Sequence, residues 1–198
     1  MPRRVKHDTD HILDAVRGLV LDDGPRAVSI GAIAEASEAP VGTLYHRFGS
    51  REALLAEVWF RALKRFQASY LQESSRTAGD PVEAGVAMAT SIVRFARNHP
   101  ADARLLLSLR REDVFEADPA HEERLEAMNA PLRKAVQRLA RALHGRAGSR
   151  EVGRVTLAVI DLPYAAIRRH ARGDGQIPAW LEDEVAAISR ELLSRARG

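Results

Sequence analysis

Apolar side chains recur every three or four residues along almost the whole of this 198-residue chain, and that spacing is the period of an amphipathic α-helix. The clearest example is a stripe that continues over several turns between residues 54 and 66: Leu54, Leu55, Val58, Trp59, Ala62, Leu63 and Phe66. The other face of this segment carries Arg61, Lys64 and Arg65. No segment shows the apolar–polar alternation of a strand. The sequence therefore predicts an all-α protein.

Capping residues and prolines divide the chain into about nine helices. Ser29 and Ser50 are placed to cap the second and fourth helices, and Pro40 is placed to open the third. Asp80-Pro81 predicts the start of a fifth helix that runs to about Asn98. Three or four short helices thus come first, and longer ones follow.

Three prolines shape the expected second half of the chain. Asp118-Pro119 predicts the start of a long helix, which Pro131 is expected to kink. Pro163 predicts a kink in a later helix, and residues 172–175 predict the turn that follows it.

Composition excludes several classes of function. The chain has no cysteine, so disulfides, thiolate metal sites and cysteine nucleophiles are excluded. No apolar run approaches the roughly 18 residues that span a bilayer, and the charged N-terminus lacks the apolar segment of a signal peptide. A cytoplasmic protein without membrane partners is therefore expected. The net charge of +3 does not by itself indicate nucleic-acid binding, because the basic residues are not concentrated in the N-terminal part.

Residues 29–48 have the pattern of a helix, a tight turn and a second helix. The apolar positions expected to face inward are Ile30, Ile33, Ala34, Ala39, Leu44 and Phe48. This arrangement turns a set of small and hydrogen-bonding residues outward: Pro40, Val41, Thr43, Tyr45 and His46. Such a helix fits the DNA major groove. The alternative is an ordinary surface helix, since helix-turn-helix geometry also occurs in proteins that never bind DNA.

Residues 9–66 resemble the N-terminal domain of the TetR family of bacterial transcriptional regulators. The resemblance is carried by the segments 33–36 (Ile-Ala-Glu-Ala), 42–48 (Gly-Thr-Leu-Tyr-His-Arg-Phe) and 50–55 (Ser-Arg-Glu-Ala-Leu-Leu). It implies a helix-turn-helix DNA-binding domain over residues 8–66, with the motif itself at 29–48, followed by a helical ligand-binding and dimerisation domain over 67–198. It also implies a homodimer that binds a palindromic double-stranded DNA operator and responds, as a repressor, to an unknown small-molecule effector.

The DNA contacts expected from the outward face and the resemblance involve seven residues: Ser29, Pro40, Val41, Thr43, Tyr45, His46 and Arg51. Thr43, Tyr45, His46 and Arg51 would hold the DNA backbone, while Pro40 and Val41 face the bases. The tail residues Arg3, Arg4 and Lys6 either reach the minor groove or backbone, or are disordered.

Three positions depart from the family pattern. Glu38 replaces a turn glycine, Val41 replaces a common lysine, and Gly31 replaces a long polar side chain found in some members. The operator of a relative therefore cannot be transferred to this chain.

In the second half, two apolar stripes predict a dimer interface made by the last two helices: Val152, Val155, Val159, Trp180, Val185, Ile188 and Leu192. The alternative is that these stripes only complete the protomer core. A ligand pocket is expected at Phe95, Leu106, Met128, Asp161 and Tyr164, unless Asp161 is satisfied at the helix bend or faces solvent.

Catalytic and cofactor patterns are absent from the sequence. His121-Glu122-Glu123-Arg124-Leu125 lacks the second histidine of a zinc protease, and residues 144–148 lack the lysine of a phosphate loop. We therefore predict no enzyme, no metal and no cofactor. The alternatives are a DNA-binding helical protein without a small-molecule ligand and, more remotely, a small-molecule enzyme.

Overall fold

The computed structural model describes residues 8–76, 79–109, 119–171 and 176–195. Within these ranges all regular structure is helical and forms nine helices, so the all-α prediction is confirmed. They are α1 (Thr9–Asp23), α2 (Ile30–Ser37), α3 (Val41–Phe48), α4 (Arg51–Arg76), α5 (Pro81–Asn98), α6 (Pro100–Ser108), α7 (Pro119–His144), α8 (Ser149–Thr156, Leu157–Asp161 and Leu162–Ala171 in succession) and α9 (Trp180–Ser194).

The chain divides into two compact units. The first comprises Met1–Leu63 and Leu105–Glu123, and the second comprises Lys64–Arg104 and Arg124–Gly198. The domain boundary predicted between residues 66 and 67 falls inside α4, and its functional meaning stays a prediction. The predictions for Arg3, Arg4 and Lys6, for the cap Asp118 and for the turn at 172–175 lie outside the described residues.

The caps read from the sequence fix where the helices begin. Ser29 Oγ accepts a hydrogen bond from the Ala32 amide at 3.1 Å, and Ser50 Oγ accepts one from the Ala53 amide at 3.0 Å. Asp80 caps α5 in the same way. Each bond satisfies an amide that has no partner within the first turn of its helix.

A small apolar core holds the first unit together. Helix α2 packs against α1 and α3, and the four helices α1 to α4 together bury Ile12, Val16, Ile33, Leu44, Leu54, Leu55 and Val58. Arg61, predicted on the outward face of α4, donates hydrogen bonds to Asp10 and Asp14 of α1. The orientation of α3 is therefore set by buried side chains of the helices around it.

The turn between α2 and α3 contains a residue in an unfavourable conformation. Glu38 has φ 51° and ψ 20°, and it is the only described non-glycine residue with a positive φ. The chain thus adopts the left-handed turn that glycine would favour, although it has glutamate there. A side chain in this region costs about 1 kcal/mol or more.

Glu38→Gly is accordingly expected to raise the free energy of unfolding by about 0.5–1 kcal/mol, since the relief of strain is partly offset by the greater freedom of glycine in the unfolded chain. Chemical denaturation of both proteins measures the difference. Glu35→Gly, at an exposed position inside the regular α2, should destabilise instead. A loss of stability in Glu38→Gly would contradict the assigned strain.

Pro163 changes the type of helix in α8 without ending it. The segment Leu157–Asp161 just before it is π-helical. Proline has no N–H group, so it cannot donate a hydrogen bond to a carbonyl of the preceding turn. Donors from two other helices supply the missing bonds: Ser189 Oγ of α9 donates to the Ala158 carbonyl at 2.9 Å, and the Tyr70 hydroxyl of α4 approaches the Val159 carbonyl at 3.5 Å. Burial raises the pKa of Tyr70, so its hydroxyl keeps the proton that it donates. Helix α7 is continuous through Pro131.

Close packing in the second unit depends on one glycine. Helix α9 packs along α5, and a Cβ atom at Gly85 of α5 would lie 2.5 Å from Leu193 Cδ1 and 3.1 Å from Leu139 Cδ2. The absence of a side chain at this position therefore lets three helices approach one another.

Candidate nucleic-acid interface

Helix α3 has a buried side and a bare outer side. Leu44 is fully buried, and Phe48 is half-buried. On the outer side Pro40, Gly42 and His46 are exposed, together with Val41 at 43% and Tyr45 at 51% of their surface. The structure thus places the outward residues as the sequence predicts, except that Thr43 is half-buried. Of the other expected inward positions, Ile33 and Ala39 are buried while Ile30 and Ala34 are half-buried.

The polar groups of this outer side have no partners in the described part of the chain. The hydroxyls of Thr43 and Tyr45 and the imidazole of His46 make no hydrogen bond to another described residue. Ser29, at the start of α2, is exposed, and its Oγ accepts the capping bond while its hydroxyl proton stays available for donation. These groups can therefore bind a polar partner without first breaking an internal bond.

Arg51 has a role that was not expected from the sequence. Its guanidinium donates to the backbone carbonyls of Val28 and Pro25, and it binds Glu52 at 3.0 Å. Hydrogen bonds from the backbone at Glu52 and from Arg51 lower the pKa of the Glu52 carboxyl. Arg51 thus fastens the loop before α2 to the start of α4, and its predicted contact with the DNA backbone stays a prediction. Sequence reasoning missed this because the acceptors are main-chain groups far away in the sequence.

The seven apolar residues of α8 and α9 that were predicted to form a dimer interface differ in their exposure. Val155, Val159 and Val185 are buried in the core of the second unit, at 1%, 0% and 2% exposure, as the alternative interpretation required. Val152 and Leu192 are half-buried. Only Trp180 and Ile188 of the predicted set are exposed.

Two residues that the prediction did not assign to the interface are also exposed and apolar. Leu157 and Tyr164 on α8 are 50% and 43% exposed, and Trp180 and Ile188 on α9 are 56% and 45% exposed. The two helices contact each other. We call these four residues the α8–α9 patch. The predicted stripe on this helix followed Val152, Val155 and Val159, so it did not include Leu157 and Tyr164.

The predicted ligand pocket is not assembled by its five residues. Asp161 and Tyr164 are exposed, which contradicts their assignment as lining residues. Phe95 is buried, with its ring 5.4 Å from Phe66 and 5.1 Å from His99. Leu106 and Met128 are half-buried and belong to different compact units.

A cleft of about 260 Å³ lies elsewhere in the second unit. Its lining combines apolar side chains of α5 and α7 with one cation: Pro81, Ala84, Met88, Arg138, Leu139 and Ala142. Arg138 is exposed and makes no ion pair within the described residues. The cleft could therefore admit a small, partly apolar molecule, although none of the five predicted residues lines it.

Neither a metal site nor a membrane span occurs within the described residues. No group of three or more histidine, aspartate and glutamate side chains in these ranges is arranged to hold a metal ion. None of the described helices combines the length and the apolar character needed to cross a bilayer.

Comparison with known proteins agrees with this geometry. Residues 12–58 match the model of bacterial regulatory proteins of the tetR family. Two HTH-type transcriptional regulators of Mycobacterium tuberculosis, MT1294 and Rv1255c, both uncharacterised, are each 30% identical over 99 residues. That match covers 50% of this chain and 48% of each relative, so it spans about half the length of the curated relatives.

Solved structures resemble the fold over nearly the whole chain. A TetR family regulator from Marinobacter aquaeolei VT8 has a TM-score of 0.73 at 19% identity and covers 97% of this chain and 98% of its own. PfmR from Thermus thermophilus has a TM-score of 0.69 at 20% identity, covering 93% of this chain and 97% of its own. At such identities the likeness establishes the fold alone.

The helix-turn-helix with a bare outer face defines the first unit as one of the DNA-binding type. Residues 12–58 are similar to the tetR family of bacterial regulatory proteins. The proteins that this chain resembles are transcriptional regulators and not enzymes.

Proposed function

We propose that this chain is a ligand-responsive transcriptional repressor that binds a palindromic operator as a homodimer, with α3 in the major groove. The observation that carries the proposal is the outer side of α3, where exposed side chains present unpaired hydrogen-bonding groups. The major groove is wide enough for one α-helix. The hydroxyls of Tyr45 and Thr43 and the imidazole of His46 would bind phosphate oxygens, and such a protein acts in the cytoplasm, where bacterial DNA lies.

Gly42 supports a close approach of α3 to another molecule. A glycine inside a helix costs about 0.5–1 kcal/mol relative to alanine, yet a Cβ atom at Gly42 would meet no other atom within 4 Å. Its φ is not positive either. Packing and backbone geometry within the described part of the chain thus give no reason for a glycine here, whereas a DNA backbone lying against α3 would.

The α8–α9 patch supports the homodimer. Four large apolar side chains are exposed on two neighbouring helices, and pairing of these helices with their copies would bury them in a four-helix bundle. A dimer would present two α3 helices to two half-sites about one helical turn apart, and the twofold symmetry of the protein would match a palindromic operator.

The cleft in the second unit is the candidate site for an effector. Its apolar lining and the unpaired Arg138 suit a small molecule that carries both apolar and anionic groups. Release of DNA requires only a few kcal/mol of differential binding between two conformations. In the alternative function, a DNA-binding factor without a small-molecule ligand, no compound would change operator affinity.

Fluorescence anisotropy against the DNA upstream of its own gene tests the proposal. Binding is measured over a salt series, with an excess of nonspecific competitor DNA, and a random-library selection is run in parallel. We expect tight, salt-sensitive binding that survives the competitor. If neither the upstream DNA nor the selected library yields binding tighter than that of random DNA, the proposal is overturned. Once an operator is known, the same assay screens compounds for release.

Tyr45→Phe is expected to weaken DNA binding by about 1 kcal/mol per protomer, and equally for all sequences, because it removes one hydrogen bond to the backbone. The exposed hydroxyl has no partner in the described part of the chain, so the unfolding midpoint should not move. Anisotropy with operator and with random DNA measures both affinities. Equal affinities of wild type and variant would remove Tyr45 from the contact set.

Gly42→Ala is expected to have opposite effects on folding and on binding. The alanine should stabilise α3 by about 0.5–1 kcal/mol, while its methyl group obstructs the approach of DNA and lowers affinity. Gly18→Ala in α1 is the matched control, because a Cβ atom there also meets nothing within 4 Å. It should stabilise the fold without changing affinity. A Gly42→Ala protein that binds DNA as tightly as wild type would contradict the close approach.

A further inference from the structure

We propose that Val41 recognises thymine in the operator by contact with its C5-methyl group, and is therefore a residue that determines sequence specificity. This inference rests on the proposed function, since it concerns what α3 reads in the groove. The observation that carries it is the exposed apolar side chain of Val41 at the start of α3. Its two neighbours in the sequence have no hydrogen-bonding side chain.

At the start of α3, Val41 is the side chain that offers apolar surface to a base edge. Pro40, Val41 and Gly42 are all exposed, and none of them carries a side-chain donor or acceptor. In a helix-turn-helix the first residues of the second helix contact the base edges. Base pairs present hydrogen-bonding groups in the major groove, and the one apolar group among them is the thymine methyl. The side chain of Val41 is therefore complementary to the methyl group of thymine.

The packing of α3 fixes where the Val41 side chain is held. Leu44 is fully buried and anchors the inner side of the helix. Val41 and Tyr45 are four residues apart and lie one above the other on the outer side, with 43% and 51% of their surfaces exposed. If the Tyr45 hydroxyl binds a phosphate, Val41 one turn earlier is directed toward the groove.

Valine suits this role because its side chain is rigid. A β-branched residue in a helix has one strongly preferred χ1 rotamer, so little conformational freedom is lost when it meets DNA. At a position that presents a cytosine amino group or a guanine or adenine N7, the isopropyl group would shield a polar group from water without replacing its hydrogen bond. Discrimination against other bases therefore accompanies the gain at thymine.

The experiment replaces operator thymines, one position at a time in both half-sites, with deoxyuridine, which pairs identically and lacks only the methyl group. At one position per half-site we expect the affinity to fall about 4-fold for each methyl group removed, and on the order of 10-fold for both half-sites together. Val41→Ala is tested on the same DNA set. This exposed substitution should leave folding unchanged, and it should abolish most of the dependence on that methyl group.

The double-mutant cycle separates a direct contact from a structural effect. A positive result is a coupling of about 3-fold or more between Val41→Ala and deoxyuridine at one position, and no coupling between Tyr45→Phe and the same deoxyuridine. Tight specific binding that is insensitive to deoxyuridine at every position would overturn the role of Val41 and leave the proposed function intact. Equal weakening by deoxyuridine in wild type and Val41→Ala would overturn it as well. Absence of any specific DNA binding would instead reject the proposed function.

Discussion

Leu157→Glu combined with Ile188→Glu is expected to separate the proposed dimer into monomers and to reduce operator affinity about 10²- to 10⁴-fold. Both side chains belong to the α8–α9 patch and are about half exposed in the protomer, so charges there disturb the fold little. In a dimer they would be buried, and an unpaired carboxylate in an apolar interface is strongly unfavourable. The affinity falls because the second half-site no longer binds at the effective concentration that a linked copy provides.

Analytical ultracentrifugation gives the oligomeric state, and fluorescence anisotropy gives the affinity. Gln137→Glu is the control for an added carboxylate, because it places one negative charge at an exposed position of α7 in the same compact unit. The control should remain dimeric and bind normally. If the double variant stays dimeric, the patch is not the dimer interface; if the wild type is monomeric and binds one half-site, the homodimer itself is rejected.

Leu44→Ala is the second substitution with a large expected effect, a decrease of about 2–5 kcal/mol in the free energy of unfolding. Leu44 is fully buried and is the one residue of α3 buried to that degree. Removing its side chain leaves a cavity that a short helix between two turns can fill only partly. Because this side chain anchors α3, operator binding should be abolished along with the stability of the first unit.

Denaturant unfolding followed by circular dichroism measures the change. Val41→Ala serves as the comparison, since it lies three residues earlier on the exposed side of the same helix and should change stability by less than about 0.5 kcal/mol. A Leu44→Ala protein whose stability falls by less than about 1 kcal/mol, or that keeps full operator affinity, would show that α3 is positioned by other contacts.

The all-α class and the outward face of α3 were predictable because they depend on local signals. Helical periodicity identified the elements, and caps such as Ser29, Ser50 and Asp80 form the bonds expected of them. The buried Leu44 and the exposed Val41 and Tyr45 follow from the same period. Such signals operate within one or two turns of helix, so the sequence carries them directly.

The errors involve contacts between residues that are distant in the sequence. The sequence did not indicate that the Arg51 guanidinium is held by the carbonyls of Val28 and Pro25, because sequence spacing contains no information about such partners. Val155, Val159 and Val185 were assigned to an interface although α5 and its neighbours already bury them. An apolar stripe does not reveal whether it faces its own chain or a second copy.

The π-helical segment of α8 also determines which residues share a face of the helix. A π-helical turn is equivalent to a regular α-helix with one residue inserted, and one residue corresponds to about 100° of rotation in an α-helix. Deletion of a single residue within Leu157–Asp161 would restore the regular α-helical spacing and leave the turns on either side in nearly their present orientation, whereas the same deletion in a regular stretch would rotate everything after it by about 100°. The π-helical segment thus accommodates one extra residue without rotating the turns that follow, and variants that are shorter by one residue here would present the same outer surface.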